Sequence, residues 1–447
     1  MYGQLLLPEL QEMLHEQDTA GLREFCEALH PAVIAQVLES LPNDQICQVL
    51  EYCGLHRRVE IVEFLAPNRQ LDLVRGMDRV QLLPLIQEMS PDNCVDLLEQ
   101  MDHGEVEKVL QLLAQSQRID IRRLLSYPEH SAGSIMTTEY ASLPGGLTVG
   151  EAINQLRLQA PNSETIYYVY IVDADRRLRG FITLRRLILA KTSAVIDALM
   201  DRDVISVRVT EDQEKVAQLM ARYDFLAVPV VDQQDQLVGI ITHDDVLDVL
   251  QEEATEDVQR QAAVQPLDES YLTTPLLTIA WKRGGWLLFL FAAGFLSAHV
   301  LQSYQKLSKV YEWLALFVPL VIATGGNAAS QTATLVIRTM ALGELTKESV
   351  PRLIRREIAV GLILGVSMSL CGFILSQGLI SAYQSLVVVT TIPLVVVAGT
   401  MIGAVLPISL KSFGMDPALM STPLIASLLD VFGIVLYFNV ALWVLSR

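Results

Sequence analysis

The chain has five cysteines in 447 residues, Cys26, Cys47, Cys53, Cys94 and Cys371, with no CxxC pair and no zinc-like histidine spacing. They read as reduced packing thiols, and no disulfide framework is expected. No Walker loop, nucleophile elbow or metal-ligand histidine cluster occurs, and His243 and His299 stand alone, which leaves an enzyme the weakest of the functional classes. Positive charge is scarce in the first 270 residues, where 22 Lys and Arg face 45 Asp and Glu, a net of −23. Phosphate-rich partners demand Lys and Arg, so nucleic acid and an anionic membrane surface are excluded for this half. Met1 to Leu14 lacks a basic flank followed by an apolar run, so no cleaved signal peptide is expected and the acidic half is expected in the cytosol.

Residues 271–447 are of another kind: 6 Asp and Glu against 11 Lys and Arg, net +5, with long uncharged runs. About 20 apolar residues span a bilayer. The runs predict five spans, Gly284 to Gln305, Trp313 to Ile337, two within Ile358 to Leu410, and Pro423 to Leu445. The polar patch Ser376, Gln377, Ser381, Tyr383, Gln384 and Ser385 marks the turn between the third and fourth. With a cytosolic N-terminus, eight Lys and Arg fall on the inside (Lys282, Arg283, Arg338, Lys347, Arg352, Arg355, Arg356 and Lys411) and three outside (Lys306, Lys309 and Arg447). That bias favours N-terminus in and C-terminus out. Asp430 lies inside the last span, where a carboxylate costs roughly 2.5 kcal/mol or more on insertion scales and faces a bundle interior or a watery path. It reads as a site for a cation. Pro319 and the paired glycines of Thr324-Gly325-Gly326-Asn327 predict either an interrupted second span with exposed carbonyls or close helix packing. Gly361/Gly365 and Gly399/Gly403 read as packing.

Residues 1 to about 130 show helical periodicity broken by short proline joints. Leu41-Pro42-Asn43, Ala66-Pro67-Asn68 and Ser90-Pro91-Asp92 recur at intervals of 25 and 24 residues, each with proline where a first helical turn tolerates it. A stacked superhelix of helix pairs is predicted over a non-repeating bundle. From Ser131 a β-rich pattern appears twice: residues 167–173 and 177–187 are echoed by 226–232 and 236–246. Each copy reads as helix, strand, Asp turn, strand, then Gly-x-x-Thr opening a helix. The duplication resembles a tandem pair of cystathionine-beta-synthase (CBS) domains, modules that often bind adenine nucleotides. The family's Gly-x-x-Ser/Thr-x-x-Asp phrase is matched by Gly239, Thr242 and Asp245 in the second copy; the first has Gly180 and Thr183 but Arg186 in the Asp position. The resemblance implies a nucleotide site, with ATP as a regulatory ligand, at Tyr168, Thr242 and Asp245; a purely structural pair stays open beside it.

Residues 243–257 form the densest acid cluster, with Asp245, Asp248 and Glu252 on one helical face and Glu253, Glu256 and Asp257 further along. Like charges at this spacing repel by a few tenths of a kcal/mol per pair, which bound cations would relieve. On spacing alone, a solvated linker helix is the favoured reading.

Taken together, the segments resemble the MgtE family of magnesium channels over nearly the whole chain. SerAlaGlySerIleMetThrThrGluTyr (131–140), the AspAspValLeuAspValLeu and GluAlaThrGluAsp phrases (244–250, 253–257), ThrGlyGlyAsn (324–327), AspProAlaLeu (416–419) and ProLeuIleAlaSerLeuLeuAspValPheGly (423–433) carry the likeness. It implies a multidomain membrane protein: an all-α superhelical N domain at 1–130, α/β CBS domains at 131–196 and 197–250, an acidic connecting helix, or plug, at 251–274, and a five-helix α transmembrane bundle at 275–447. It implies a homodimer in the inner (plasma) membrane that conducts Mg²⁺, with the lipid bilayer and divalent ions as partners. The implied pore residues are Asp430, Ala426, Thr422, Thr334 and Asn327. The implied cytosolic Mg²⁺ sensor comprises Asp92, Asp96, Asp212, Glu214, Asp224, Asp245, Asp248, Glu253, Glu256 and Asp257, and this resemblance turns the reading of the acid cluster from linker to sensor. Ser330 and Thr422 stand where the family often has Asn, which keeps a pore for another divalent ion such as Co²⁺ as the alternative. A CBS-regulated membrane sensor without transport is the rival of another class.

Overall fold

A computed structural model describes residues 2–267, 271–272, 274–417 and 422–446. The chain divides into two compact units, Met1–Leu250 and Gln251–Arg447.

Among the described residues of the first unit, ten helices, α1 to α10, run from Tyr2 to Leu124. Pro67 and Pro91 occupy the first positions of α6 (Pro67–Gly76) and α8 (Pro91–Glu99), where no backbone N–H is needed. Pro42 sits one place earlier than expected, as the cap of α4 (Asn43–Glu51). Helices α4, α6, α8 and α10 (Gln115–Leu124) pack in one row, and α1 (Tyr2–Glu16), α3 (Pro31–Leu38), α5 (Leu55–Glu63) and α7 (Arg79–Glu88) in another. Each sequence period thus contributes one helix to each row, the superhelix that the recurring proline phrases predict. The rows share apolar faces such as Ile46, Val49 and Leu50 of α4 and Val95, Leu97 and Leu98 of α8, all buried.

Two three-stranded sheets follow, in the orders β1-β2-β3 and β4-β5-β6. The first is built from β1 (Tyr140–Pro144), β2 (Thr165–Val172) and β3 (Leu178–Thr183), with α11 (Val149–Gln159) and α12 (Leu184–Leu189). The second uses β4 (Val207–Arg208), β5 (Ala227–Val231) and β6 (Leu237–Thr242), with α13 (Gln213–Tyr223) and α14 (His243–Gln261). Their registers match: Ile171 faces Gly180 in one and Val230 faces Gly239 in the other. Both hairpin turns are closed by an aspartate, Asp173 accepting from the N–H of Arg177 at 2.9 Å and Asp232 from that of Gln236 at 2.9 Å.

The glycines have a reason that spacing did not reveal. The segment leading into each copy crosses the sheet of the other. A Cβ on Gly239 would lie 2.8 Å from the carbonyl of Thr137, and one on Gly180 would lie 2.6 Å from that of Asp201. Backbone bridges join Thr137 to Ile240 and Phe181 to Asp201. The two copies therefore interlock, and the core of the second copy is continuous with that of the superhelix, from Leu10 through Leu98 to Val246 and Val249.

Among its described residues the second unit holds five helices long and apolar enough to cross a membrane: α15 (Leu276–Ser303), α17 (Trp313–Ala341), α18 (Val350–Ser376), α19 (Ala382–Ser412) and α20 (Thr422–Leu445), with the short α16 (Gln305–Val310) after the first. Helix α15 begins earlier than the apolar run, so Lys282 and Arg283 lie within it. Ser381 caps α19 through a reciprocal pair with Gln384, while Ser376 and Ser385 fall inside the helix ends and bond Oγ to Oγ at 2.8 Å. Helix α17 packs on α19 and α20, and α18 on α19. A Cβ on Gly399 would lie 2.7 Å from the Gly325 carbonyl oxygen, so this glycine lets α19 and α17 touch backbone to backbone, as packing predicts.

Of the two readings of the second span, interruption does not hold: α17 is continuous through Thr324-Gly325-Gly326-Asn327 despite Pro319. Its glycines are buried against Val395 and Ala426, and the Thr324 hydroxyl donates to the Leu320 carbonyl at 2.7 Å. Close packing accounts for the motif. Ala418 and Leu419 of the AspProAlaLeu phrase lie outside the described residues.

Candidate ion path and acidic junction

Helix α20 carries Thr422, Ala426 and Asp430 at successive four-residue steps, so they share one face. Helix α17 carries Asn327, Gln331 and Thr334 at steps of four and three, and all three are exposed on the single chain. The two helices approach at Gly326, where a Cβ would lie 3.7 Å from that of Ala426. Asp430 is half-buried, between the buried Leu429 and the apolar neighbours of α20. Among the described residues no Lys, Arg or His pairs with its carboxylate. An uncompensated carboxylate and an exposed amide at membrane depth are both costly against lipid, which makes this face one for water, ions or another copy of the chain. Gln331 was not singled out from the sequence; its spacing of four from Asn327 was the available signal.

Asp92 stands in the first turn of α8 and is buried, and its Oδ1 accepts no hydrogen bond among the described residues. Burial raises its pKa, and the nearby Asp244 adds to this. Asp245 is pushed up to about 8 by burial and then by Asp92. Glu63 at the end of α5, Glu139 before β1 and Glu164 before β2 are also raised, each by burial first and then by Asp92 among its neighbours. The fold thus gathers Asp92 and Asp245, which the resemblance implies, and Asp244 of the same acid cluster with Glu63, Glu139 and Glu164, which sequence reading missed. Their repulsion is relieved by protons or by cations.

A carboxyl whose folded pKa lies above its unfolded value stabilises the fold fully below the unfolded value, near pH 4, and that stability is lost as pH rises through about 8. Without divalent cations, the melting temperature of the soluble unit is therefore expected to fall between pH 6 and 8.5, by about 2–4 °C per kcal/mol lost. Scanning fluorimetry in chelator checks this, and a flat profile would mean that burial and the neighbouring acids do not raise these carboxyls.

The other acids are placed apart. Asp212 caps the start of α13, accepting from the Glu214 N–H at 3.2 Å, while Asp224 ends the same helix in a left-handed conformation with φ 54°. Twelve residues of helix separate them by about 18 Å, so within one chain Asp212 and Asp224 cannot share an ion. Asp96 is exposed on α8, and Asp248 on α14 is raised by burial and by Asp244. In the second unit, Arg260 of α14 forms ion pairs with both Glu256 and Asp416. Beside it Asp257 is pushed up to about 6 by burial, Asp416 and Glu253. Among the described residues no group of three His, Cys, Asp or Glu has a geometry ready to hold a metal.

For a nucleotide, Thr242 donates its hydroxyl to Asp245 at 2.5 Å and its backbone N–H to the same carboxylate at 3.3 Å, and that carboxylate lies against Asp92. Tyr168 packs edge-on to Phe181 at 5.6 Å. Arg186 is exposed, and its N–H is capped by Thr183 at 3.2 Å.

Five helices long and apolar enough to cross a membrane, preceded in the chain by a helical superhelix and two interlocked α/β copies, define a multi-pass membrane protein. Comparison with known proteins identifies it further. A family described as divalent cation transporter matches residues 318–440, the MgtE intracellular N domain matches 29–130, and CBS domains match 132–193 and 195–252. The magnesium transporter MgtE of Thermus thermophilus is 40% identical over 342 residues, covering 76% of each chain. That of Bacillus subtilis is 35% identical over 335 residues, covering 74% of this chain and 73% of the relative. Among solved structures, the cytosolic domain of the Mg²⁺ channel MgtE in complex with ATP superposes with a TM-score of 0.53 at 38% identity, covering 55% of this chain and 100% of that one. The chain belongs to the MgtE family.

Proposed function

We propose that this protein is a homodimeric Mg²⁺ channel of the inner membrane, closed when Mg²⁺ binds its cytosolic acids. The observation that carries the reading is Asp430, a carboxylate without a cationic partner among the described residues, at membrane depth and on the same face of α20 as Thr422 and Ala426. Two such faces, one from each subunit, suit Mg²⁺, which prefers octahedral oxygens and keeps several of its waters. A hydrated ion held by outer carboxylates binds loosely enough to leave. Asn327, Gln331 and Thr334 supply further oxygen donors along the path, and the loop charges favour the N-terminus inside and the C-terminus outside. Relatives at 35–40% identity are magnesium transporters, which supports the choice of ion.

Gating rests on differential binding: cations that neutralise the junction around Asp92 and Asp245 favour the compact state over an open one. The acids near Arg260 serve the connecting helix in the same way, with the guanidinium as a fixed cation between Glu256 and Asp416. ATP as a second regulator draws on the ATP-bound structure at 38% identity. In this chain the Arg186 position lacks the carboxylate that would hold a ribose, and Asp245 is already engaged by Thr242. Nucleotide binding therefore falls to Tyr168, Thr242 and Asp245 only when Asp245 is released from the junction.

The deciding experiment is flux of Mg²⁺ and of Co²⁺ into vesicles bearing the full chain, with internal Mg²⁺ varied. Flux that declines as internal Mg²⁺ rises is the expected result. Absence of any flux would leave a membrane sensor, and equal Co²⁺ flux would replace a Mg²⁺ channel with a general divalent pore.

A further inference from the structure

Two acids lie within the five spans, Asp430 and Glu357. Glu357 is half-buried on α18, two turns from its start, and no Lys, Arg or His pairs with it among the described residues. Its Oε2 accepts the hydroxyl of Thr332 on α17 at 3.0 Å. Its backbone carbonyl accepts the hydroxyl of Thr400 on α19 at 3.3 Å. Thr332 is 5% exposed and Thr400 is 1% exposed, so this is an interior junction of three helices.

The choice made by Thr332 is informative. Thr324 and Thr339, on the same helix, satisfy their hydroxyls on their own carbonyls four residues back, at 2.7 and 2.8 Å. Thr332 instead reaches across to another helix. At about 100° per residue, Thr332 points away from the stripe of Asn327, Gln331 and Thr334, so Glu357 grips α17 from behind while its opposite side carries the exposed polar groups. A rotation of α17 that broke this bond would leave the carboxylate oxygen of Glu357 without its partner, which opposes the rotation.

We propose that Glu357 is a positioning residue of the ion path, fixing the rotation of α17 and thereby the discrimination among divalent cations. The proposal rests on the reading of the Asn327, Gln331 and Thr334 face as part of that path.

The test measures Mg²⁺ and Co²⁺ flux separately in vesicles bearing the full chain. Glu357→Ala and Thr332→Val are each expected to change the Mg²⁺ to Co²⁺ flux ratio by about tenfold, the weight of one ordinary hydrogen bond to a charged group. Glu357→Gln keeps an acceptor oxygen and is expected to restore the ratio. The double variant is expected to be no worse than either single change, because both remove one contact. Unchanged ratios in the alanine and valine variants would overturn the proposal. A glutamine variant behaving like alanine would also overturn it, since charge and not position would then be what matters. Thr332→Val conserves volume and keeps the test open if Glu357→Ala fails to fold. Asp430→Ala separates the two readings: if it conducts normally the path itself is misplaced, whereas if it is silent and the Glu357 ratios do not move, only the positioning role fails.

Discussion

Asp430→Ala is expected to lower Mg²⁺ flux by about a hundredfold or more while the protein still folds and dimerises. The size follows from pairing: in a dimer the substitution also removes the partner subunit's Asp430. Interactions with a charged group contribute about 1.5–3 kcal/mol each, and two of them correspond to roughly two decades or more in rate. Folding is expected to survive because the carboxylate makes no ion pair among the described residues, so no cation is left unpaired by its loss. Removing an uncompensated acid from membrane depth is itself neutral or stabilising. Asp430→Asn keeps an oxygen but removes the charge, and it is expected to fall between alanine and the native protein. Flux assays on vesicles, with size-exclusion chromatography of the same preparations, read both quantities. Undiminished flux in a correctly assembled dimer would remove Asp430 from the ion path and favour the sensor that does not transport.

The five spans and the duplicated β-rich module were legible because their signals are local: uncharged runs of sufficient length, and a Gly-x-x-Thr phrase repeated at equal spacing. The function of the repeated glycines was not, because Gly180 and Gly239 are shaped by segments that begin at Met200 and Met136, which only the fold brings across them. The same holds for the acidic junction. Asp92 and Asp245 came into view through family resemblance, whereas Glu63, Glu139 and Glu164 are isolated acids in ordinary local sequence and meet only after α5, α8 and the start of β2 are packed. Glu357 escaped for a different reason: beside Arg352, Arg355 and Arg356 it reads as one more charge of a cytosolic loop, while the helix in fact begins at Val350 and carries it inward. The glycine pair of α17 was legible as a special site but left two meanings open, and the packing of Val395 and Ala426 against it chose between them.

For the acidic junction, Asp92→Asn combined with Asp245→Asn is expected to raise the Mg²⁺ concentration for half-closure by about tenfold or more. Two physical effects compete in this variant. Neutral side chains no longer repel, which favours the compact state without metal; they also no longer bind Mg²⁺, which removes the differential affinity that drives closure. Moving an equilibrium from mostly open to mostly closed takes about a 10⁴-fold preference of the ion for the closed state, so the loss of ligands governs the response to Mg²⁺ even where relief of repulsion changes the starting point. Limited proteolysis of the superhelix and of residues 243–257 reads closure directly: Mg²⁺ is expected to protect the native chain at concentrations that leave the double variant unprotected. Monovalent salt supplies the decisive contrast. If the acids act only through mutual repulsion, raising NaCl screens them and protects as well as Mg²⁺ does. If they bind the ion, NaCl cannot substitute, because Asp92, whose Oδ1 has no hydrogen-bond partner among the described residues, offers a buried acceptor that screening does not satisfy. Protection by NaCl equal to that by Mg²⁺ would reduce the junction to a screened charge pair and remove it as a Mg²⁺ sensor.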